Sequence, residues 1–314
     1  MFYIGFLVGL FLLIAGGDIL VSGSIIIARR LHVSPLLIGL LLIGFGTSLP
    51  ELSTSVLAVF RGAPGLAVGN VIGSNVANIL LVLGVAAILK PIQLNQDAFK
   101  RDALFLGLST VILLISLLKG HISWELGALM CMTLAFYIYH TYKTDKVHVK
   151  KLNLPVSHVA IEKRFYISTT LAIILTISGL ILVLTGAHFL VNCTIIIAGH
   201  LGISEAVIGL TVVALGTSLP ELITSIMASI KQESDVALGN VIGSNIYNAL
   251  LILGATALVM PITAPASVQT DVIVMTAATA LLLFVGFFNG CIGRKMGIFF
   301  LLSYCAYIFY LGIQ

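Results

Sequence analysis

Glu51 and Glu221 are carboxylates set inside long apolar stretches, and each lies in the same run, Gly-Thr-Ser-Leu-Pro-Glu-Leu, at 46–52 and again at 216–222. A charged side chain at the centre of a bilayer costs roughly 2.5–3.5 kcal/mol on insertion scales, so it persists where a cation, a proton or a water-filled path meets it. Two carboxylates in matching settings therefore predict one shared cation site. Thr47 and Ser48 precede Glu51 as Thr217 and Ser218 precede Glu221, a spacing that on a helix stacks Thr and Glu on one face with Ser beside them. Pro50 and Pro220 remove a backbone donor and displace the carbonyls of Gly46 and Gly216, one turn earlier. Oxygens freed in this way can face a cation, which is how broken helices are tolerated at the midplane of transporters.

A second polar cluster follows each of these segments. It reads Gly69-Asn70-Val71-Ile72-Gly73-Ser74-Asn75 with Asn78, and Gly239-Asn240 through Ser244 and Asn245 with Asn248. Ser74 and Asn78 are one helical turn apart, while Gly69 and Gly73 form a small-residue stripe that lets another helix come close. Helix packing is the main role expected of these glycines. For the amides, ion ligation competes with plain interhelical hydrogen bonding. Two carboxylates with a few backbone carbonyls supply about six or more hard oxygen ligands, which suits Ca²⁺. Neither glutamate cluster holds His or Cys, so zinc or copper would be poorly served.

The elements that must position these residues follow from composition. With 59% hydrophobic and 9% charged residues the chain is no ordinary soluble domain. Apolar runs at 2–27, 36–60, 70–89, 103–118, 122–141, 167–198, 206–230, 239–260, 271–288 and 296–312 predict ten helical spans, each near the ~20 residues a bilayer needs. Runs such as Leu80-Leu81-Val82-Leu83 lack the alternation of a membrane barrel. The expected fold is therefore an all-α polytopic membrane protein. No Lys or Arg precedes the first span, and its apolar stretch is longer than a signal core, so it is expected to remain. Cys131, Cys193, Cys291 and Cys305 have no paired spacing and read as packing residues. The basic residues sit at helix ends and in one loop, a pattern that gives no indication of a nucleic-acid partner.

Residues 9–92 align with 179–262 at a constant offset of 170, and about half the positions from Ser34 to Ile92 are identical to their counterparts. Five spans per unit force the second copy to enter from the opposite side, so the two are expected to be inverted repeats about an axis in the membrane plane. The expected division is a first five-helix repeat at 1–141, a basic linker at 142–165 and a second repeat at 166–314. Fourteen of the sixteen Lys and Arg residues fall on one side, with only Arg61 and Lys119 on the other. That distribution predicts external termini and a cytoplasmic linker in a plasma or inner membrane. Asp18, whose repeat mate is His188, is expected at the interface or bonded to a neighbouring helix, and Asp18→Asn to retain most transport. Trp124, Tyr137, Tyr139 and Tyr142 are expected as interfacial anchors.

With these residues in view, the chain resembles the sodium/calcium exchangers of the cation/Ca²⁺ exchanger superfamily, prokaryotic type. The two Gly-Thr-Ser-Leu-Pro-Glu segments and the Gly-Asn-Val-Ile-Gly-Ser-Asn segments after them are similar to that family's two alpha repeats. The resemblance implies ten transmembrane helices, with the second and third of each repeat lining the ion sites and the first sliding across them. It implies Ca²⁺ held by Glu51 and Glu221 with the carbonyls of Thr47 and Thr217. Na⁺ would be shared among the carboxylates, Thr47, Ser48 and Ser74 on one side and Thr217, Ser218 and Ser244 on the other, with the backbone oxygens of Gly44 and Ala214 at the outlying sodium sites. Asn78 and Asn248 stand symmetrically at the centre, and an Asn at 248 implies independence from K⁺.

The implied activity is alternating-access exchange of three Na⁺ for one Ca²⁺, one net charge per cycle, with both ions as transported substrates and no cofactor. The partners expected are these ions and the lipid bilayer, and the expected state is a monomer. A Ca²⁺/H⁺ antiporter on the same fold is the alternative, since a buried carboxylate can take a proton. The Thr and Ser oxygens beside each glutamate favour Na⁺, because protons need none of them. A passive channel lacks an evident continuous pore, and an enzyme lacks a catalytic pair.

Overall fold

The computed structural model describes residues 2–152, 168–200, 214–263 and 268–313. Its described residues form ten main helices: α1 (Phe2–Leu31), α2 (Pro35–Phe60), α3 (Pro64–Leu89), α4 (Gln96–Leu118), α5 (Trp124–Leu152), α6 (Thr169–His200), α7 (Leu219–Ile230), α8 (Ser234–Val259), α9 (Gln269–Asn289) and α10 (Arg294–Ile313). Among the described residues, eight are long and apolar enough to cross a bilayer. α7 shows twelve residues preceded by a turn at Ala214–Thr217, and the first part of its expected span, 206–213, lies outside the described residues.

α5 continues through Leu152, which corrects the expectation of a loop from 142. No Gly or Pro interrupts Tyr142–Leu152, and Asp145 is drawn into the protein, where its carboxylate accepts from the backbone N–H of Ser34 at 2.8 Å and from the Ser34 hydroxyl at 2.6 Å. Ser34 in turn caps the start of α2 by accepting from Leu37 N–H. The rest of the expected linker, 153–165, lies outside the described residues. Tyr137 is likewise corrected: it is fully buried, and its hydroxyl donates to Asp102 at 3.3 Å instead of anchoring at an interface. Trp124, Tyr139 and Tyr142 are exposed.

The two halves are inverted copies, and four short strands show it. β1 (Ile92–Gln93) pairs with β4 (Cys291–Ile292), and β2 (His121–Ile122) pairs with β3 (Ile262–Thr263). Moving the partners Ile92 and Ile292 by the repeat offset of 170, in opposite senses, yields Ile262 and Ile122, which are themselves partners. Each ladder thus joins one half to the other and is the image of its mate. Two-residue bridges leave no periodic signal in a chain otherwise read as helix.

The same exchange governs the tightest helix contacts. Gly9 and Gly16 of α1 lie against Gly186 and Gly179 of α6, so close that a Cβ on Gly179 would sit 2.4 Å from the backbone N of Leu20. These are repeat mates facing each other in antiparallel fashion. α3 and α8 form the centre: 78% and 83% of their apolar stretches are buried inside the protein, against 33% for α1 and α6. The pair α1 and α6 therefore lies outside the central packing, whose core includes Val71, Ile72, Ile79, Val241, Ile242 and Leu250.

At one end of the bundle α1 is tied to the turn after α7. Asp18 Oδ1 lies 2.5 Å from Lys231 Nζ, and Arg29 Nη2 lies 3.7 Å from Glu233 Oε1. Asp18 is thus bonded to a neighbouring element and about half exposed. Burial pushes the Glu233 carboxyl above the usual carboxylate range, and the Arg29 guanidinium works against that.

Candidate cation site

The helix bearing each glutamate is broken just before it. Ser48 (φ −83°, ψ 2°) and Ser218 (φ −89°, ψ 3°) leave helical geometry, and new helices start at Leu49 and Leu219 with proline in the first turn, where its missing N–H costs nothing. The backbone is thus kinked between Thr47 and Glu51, although Ser48 N–H still bonds Gly44 O at 3.2 Å and Leu52 N–H bonds Ser48 O at 3.1 Å across the kink. Thr47 ends one segment and Glu51 falls in the first turn of the next. This placement sets both carboxylates in the first turns of short helices, at their positive ends.

Wide turns adjoin these residues in sequence. α2 is π-helical over Gly39–Gly44, α3 over Ala77–Val82 and α8 over Asn248–Ile252, an irregularity often found at functional sites. The Gly44 carbonyl accepts from Ser48 N–H at 3.2 Å, from the Thr47 hydroxyl at 3.4 Å, and from Ser244 of the other repeat, also at 3.4 Å. That crossing needs glycine. A Cβ on Gly239 would lie 2.3 Å from the Leu36 carbonyl oxygen, and one on Gly243 would lie 2.8 Å from that of Leu40. The positions that would face Gly69 and Gly73 by the repeat, 206 and 210, lie outside the described residues.

Both repeats contribute to each carboxylate's surroundings. Ser244 donates to Glu221 Oε1 at 3.4 Å and to the Gly44 carbonyl of the first repeat at 3.4 Å, while Thr47 of the first repeat donates to Asn240 Oδ1 of the second at 3.5 Å. Asn70 and Asn240 were not among the expected ligands, and they brace the site. Asn240 donates to Glu221 O at 3.2 Å, Thr224 at 3.0 Å and Ser225 at 2.9 Å. Asn70 donates to Glu51 O at 3.3 Å and Ser55 at 3.1 Å. The sequence signal for them was their place in the duplicated motif. Across the centre, Asn78 donates to Asn245 Oδ1 at 3.0 Å and Asn75 to Asn245 O at 3.4 Å, so α3 and α8 are joined there.

Buried polar atoms in folded proteins almost always have a hydrogen-bond partner. Here both carboxylate oxygens of Glu51, Oε2 of Glu221, the hydroxyls of Ser48, Thr217 and Ser218, and the amide oxygens of Asn78 and Asn248 are buried with none. These belong to residues singled out for cation binding, and buried unpartnered polar atoms also occur on Ser24, Asn75, His140, Thr141, Ser229, Asn245 and Thr256. Ser74 is buried, Ala214 opens the described turn before α7, and among the described residues no group of three His, Cys, Asp or Glu side chains comes together. The chemistry on offer is thus two carboxylates amid neutral oxygens, suited to hard cations.

The profile of the family described as sodium/calcium exchanger protein matches residues 1–143 and 171–312. This chain belongs to the sodium/calcium exchanger family. It is a multi-pass membrane transporter and not an enzyme. Among its relatives, the sodium/calcium exchanger MaX1 of Methanosarcina acetivorans is 32% identical over 338 residues, 96% of each chain. The inner membrane protein YrbG of Escherichia coli is 33% identical over 271 residues, covering 81% of this exchanger and 79% of YrbG. A structure of the sodium-calcium exchanger NCX_Mj soaked with Na⁺ and Sr²⁺ superposes with a TM-score of 0.84 at 36% identity, covering 98% of each chain. The exchanger thus shares that ten-helix fold.

Proposed function

We propose that the protein exchanges Na⁺ for Ca²⁺ by alternating access, three for one, moving one net charge per cycle and without K⁺. The observation that carries this reading is the set of buried, unpartnered oxygens on Glu51, Glu221, Ser48, Thr217, Ser218, Asn78 and Asn248, drawn from both repeats. Their mixture of two negative charges and neutral hydroxyl and amide oxygens suits a divalent cation on the carboxylates, or several monovalent ones spread over the whole set. Ca²⁺ is held by Glu51 and Glu221 with the carbonyls of Thr47 and Thr217. Na⁺ is held by those carboxylates with Thr47, Ser48, Ser74, Thr217, Ser218 and Ser244, and by the Gly44 and Ala214 carbonyls.

The units 1–141 and 166–314 act as the two repeats of a monomer, with external termini and a cytoplasmic connection at 142–165 in a plasma or inner membrane. The fourteen-to-two distribution of Lys and Arg supports that orientation. Uptake of ⁴⁵Ca²⁺ into reconstituted vesicles under separately imposed Na⁺, K⁺ and H⁺ gradients tests the reading. Uptake driven by Na⁺, responsive to voltage and indifferent to K⁺, is expected. Uptake driven by a pH gradient alone would replace it with Ca²⁺/H⁺ exchange, and a strict K⁺ requirement would overturn the role given to Asn248.

A further inference from the structure

The turns that follow the two glutamate helices are equivalent in the repeat but unlike in chemistry. One is Arg61-Gly62-Ala63 and the other Lys231-Gln232-Glu233. At the second, α1 places two ion pairs of opposite polarity, Asp18 with Lys231 and Arg29 with Glu233. Shifting these four residues by one repeat sets His188 against Arg61 and Gly199 against Ala63, neither of which can form an ion pair. Alongside the pairs Gly17 lays the α1 backbone on α7, where a Cβ would meet Ile223 Cγ2 at 2.8 Å and Met227 Cγ at 3.2 Å. α1 therefore closes this end of α7 by both packing and charge.

Behind that seal, α7 carries a buried polar stripe at successive turns. Glu221, Ser225 and Ser229 are each no more than 1% exposed. Ser225 is committed, since it accepts from Asn240 at 2.9 Å. Ser229 lies two turns, about 11 Å, from Glu221 toward the turn that holds Glu233, and its hydroxyl is buried with no partner. In the first repeat the stripe runs Glu51, Ser55 and then Val59, which is equally buried in the apolar core. An apolar side chain satisfies this position, whereas an unbonded hydroxyl pays a desolvation penalty there.

We propose that Glu221, Ser225, Ser229 and Glu233 line a cation access route from the ion site to the membrane face of the α7–α8 turn. Ser229 is a transient oxygen ligand for hard cations on this route, and the two ion pairs from α1 hold it shut. Partly exposed pairs are weak enough to break in each cycle, as a latch requires. The route rests on the exchange reading above and adds to it an inner path with no copy in the other repeat.

Ser229→Cys and Val59→Cys, each placed in a chain whose four native cysteines are replaced by alanine, test the path with a membrane-impermeant methanethiosulfonate applied to either face of vesicles. Thr144→Cys marks the face on which α5 emerges, and the Asp145–Ser34 contact puts it on the same side as Arg29. Ser229→Cys is expected to react from the Thr144 face only, and about fivefold faster once Asp18→Asn and Arg29→Gln remove the latch. Val59→Cys is expected to stay unreactive. Equal reactivity of the two cysteines, or no acceleration without the latch, would overturn the route. Ser229→Val is expected to slow exchange severalfold while Ser229→Thr does not, and equal rates would overturn the ligand role. Loss of Na⁺-driven uptake in the unlabelled cysteine-free parent chain would count against the exchange reading alone.

Discussion

The centre of the exchanger and the turns at its ends come from the same duplication and have gone different ways. At the centre, Thr47, Ser48, Glu51, Asn70, Ser74 and Asn78 recur unchanged at 217, 218, 221, 240, 244 and 248. At the ends, the ion pairs Asp18–Lys231 and Arg29–Glu233 have no counterpart. The difference has a physical basis. On the proposed reading, a cation needs the same number and kind of oxygens whichever side it came from, so its ligands are kept in both copies. The two membrane faces meet different charge environments, and closing them has no such symmetry.

The comparison breaks first if the two carboxylates are not equivalent. Glu51→Gln and Glu221→Gln each remove half the negative charge facing a divalent ion, and each is expected to lower ⁴⁵Ca²⁺ uptake on the order of 100-fold, the scale of ~3 kcal/mol for an uncompensated buried charge. A near-normal rate in either variant would end the shared-site reading. Next, Gly239→Ala drives a Cβ into the Leu36 carbonyl. It is expected to cost about 1–3 kcal/mol, read as a lowered thermal midpoint in detergent, because α2 must move off α8.

The braces give a finer test. Asn240→Ala removes the amide contacts to Glu221, Thr224 and Ser225 and the oxygen that accepts from Thr47, four in all, and Asn70→Ala removes two. The first is expected to raise the Ca²⁺ concentration for half-maximal uptake more than the second, with about 1–3 kcal/mol at stake in each. The reverse order would show that the two halves carry unequal loads during transport. Smallest is Asp18→Asn. Its pair is half exposed and worth roughly 0–1 kcal/mol, so most steady-state uptake should remain.

Much of this arrangement was legible in the chain because membranes leave few alternatives. Apolar length announces spans, and an odd number of spans per repeat forces inversion. The carboxylates stood out because ionised groups are rare at that depth. What could not be read was local departure from regular helix. Pro50 signalled a disturbance, but its placement at the start of a new helix depended on Ser48 leaving helical geometry, which moved Glu51 into a first turn. Tyr137 fitted the pattern of an interfacial aromatic until the packing of α5 on α4 brought Asp102 to its hydroxyl. The charged residues after 141 suggested a loop, yet nothing in Tyr142–Leu152 breaks a helix and Ser34 supplies Asp145 with two donors.

By itself, the sequence determined the solvent, the duplication, the opposed sense of the halves and the two buried carboxylates around which the cation site is proposed. These depend on hydropathy, parity and charge, which are properties of residues and their order. Only the tertiary structure decided which glycines let backbones touch, which amides brace the glutamates, and which oxygens remain buried without partners. Those depend on distances between segments about 170 residues apart, and such distances exist only once the two halves have packed together.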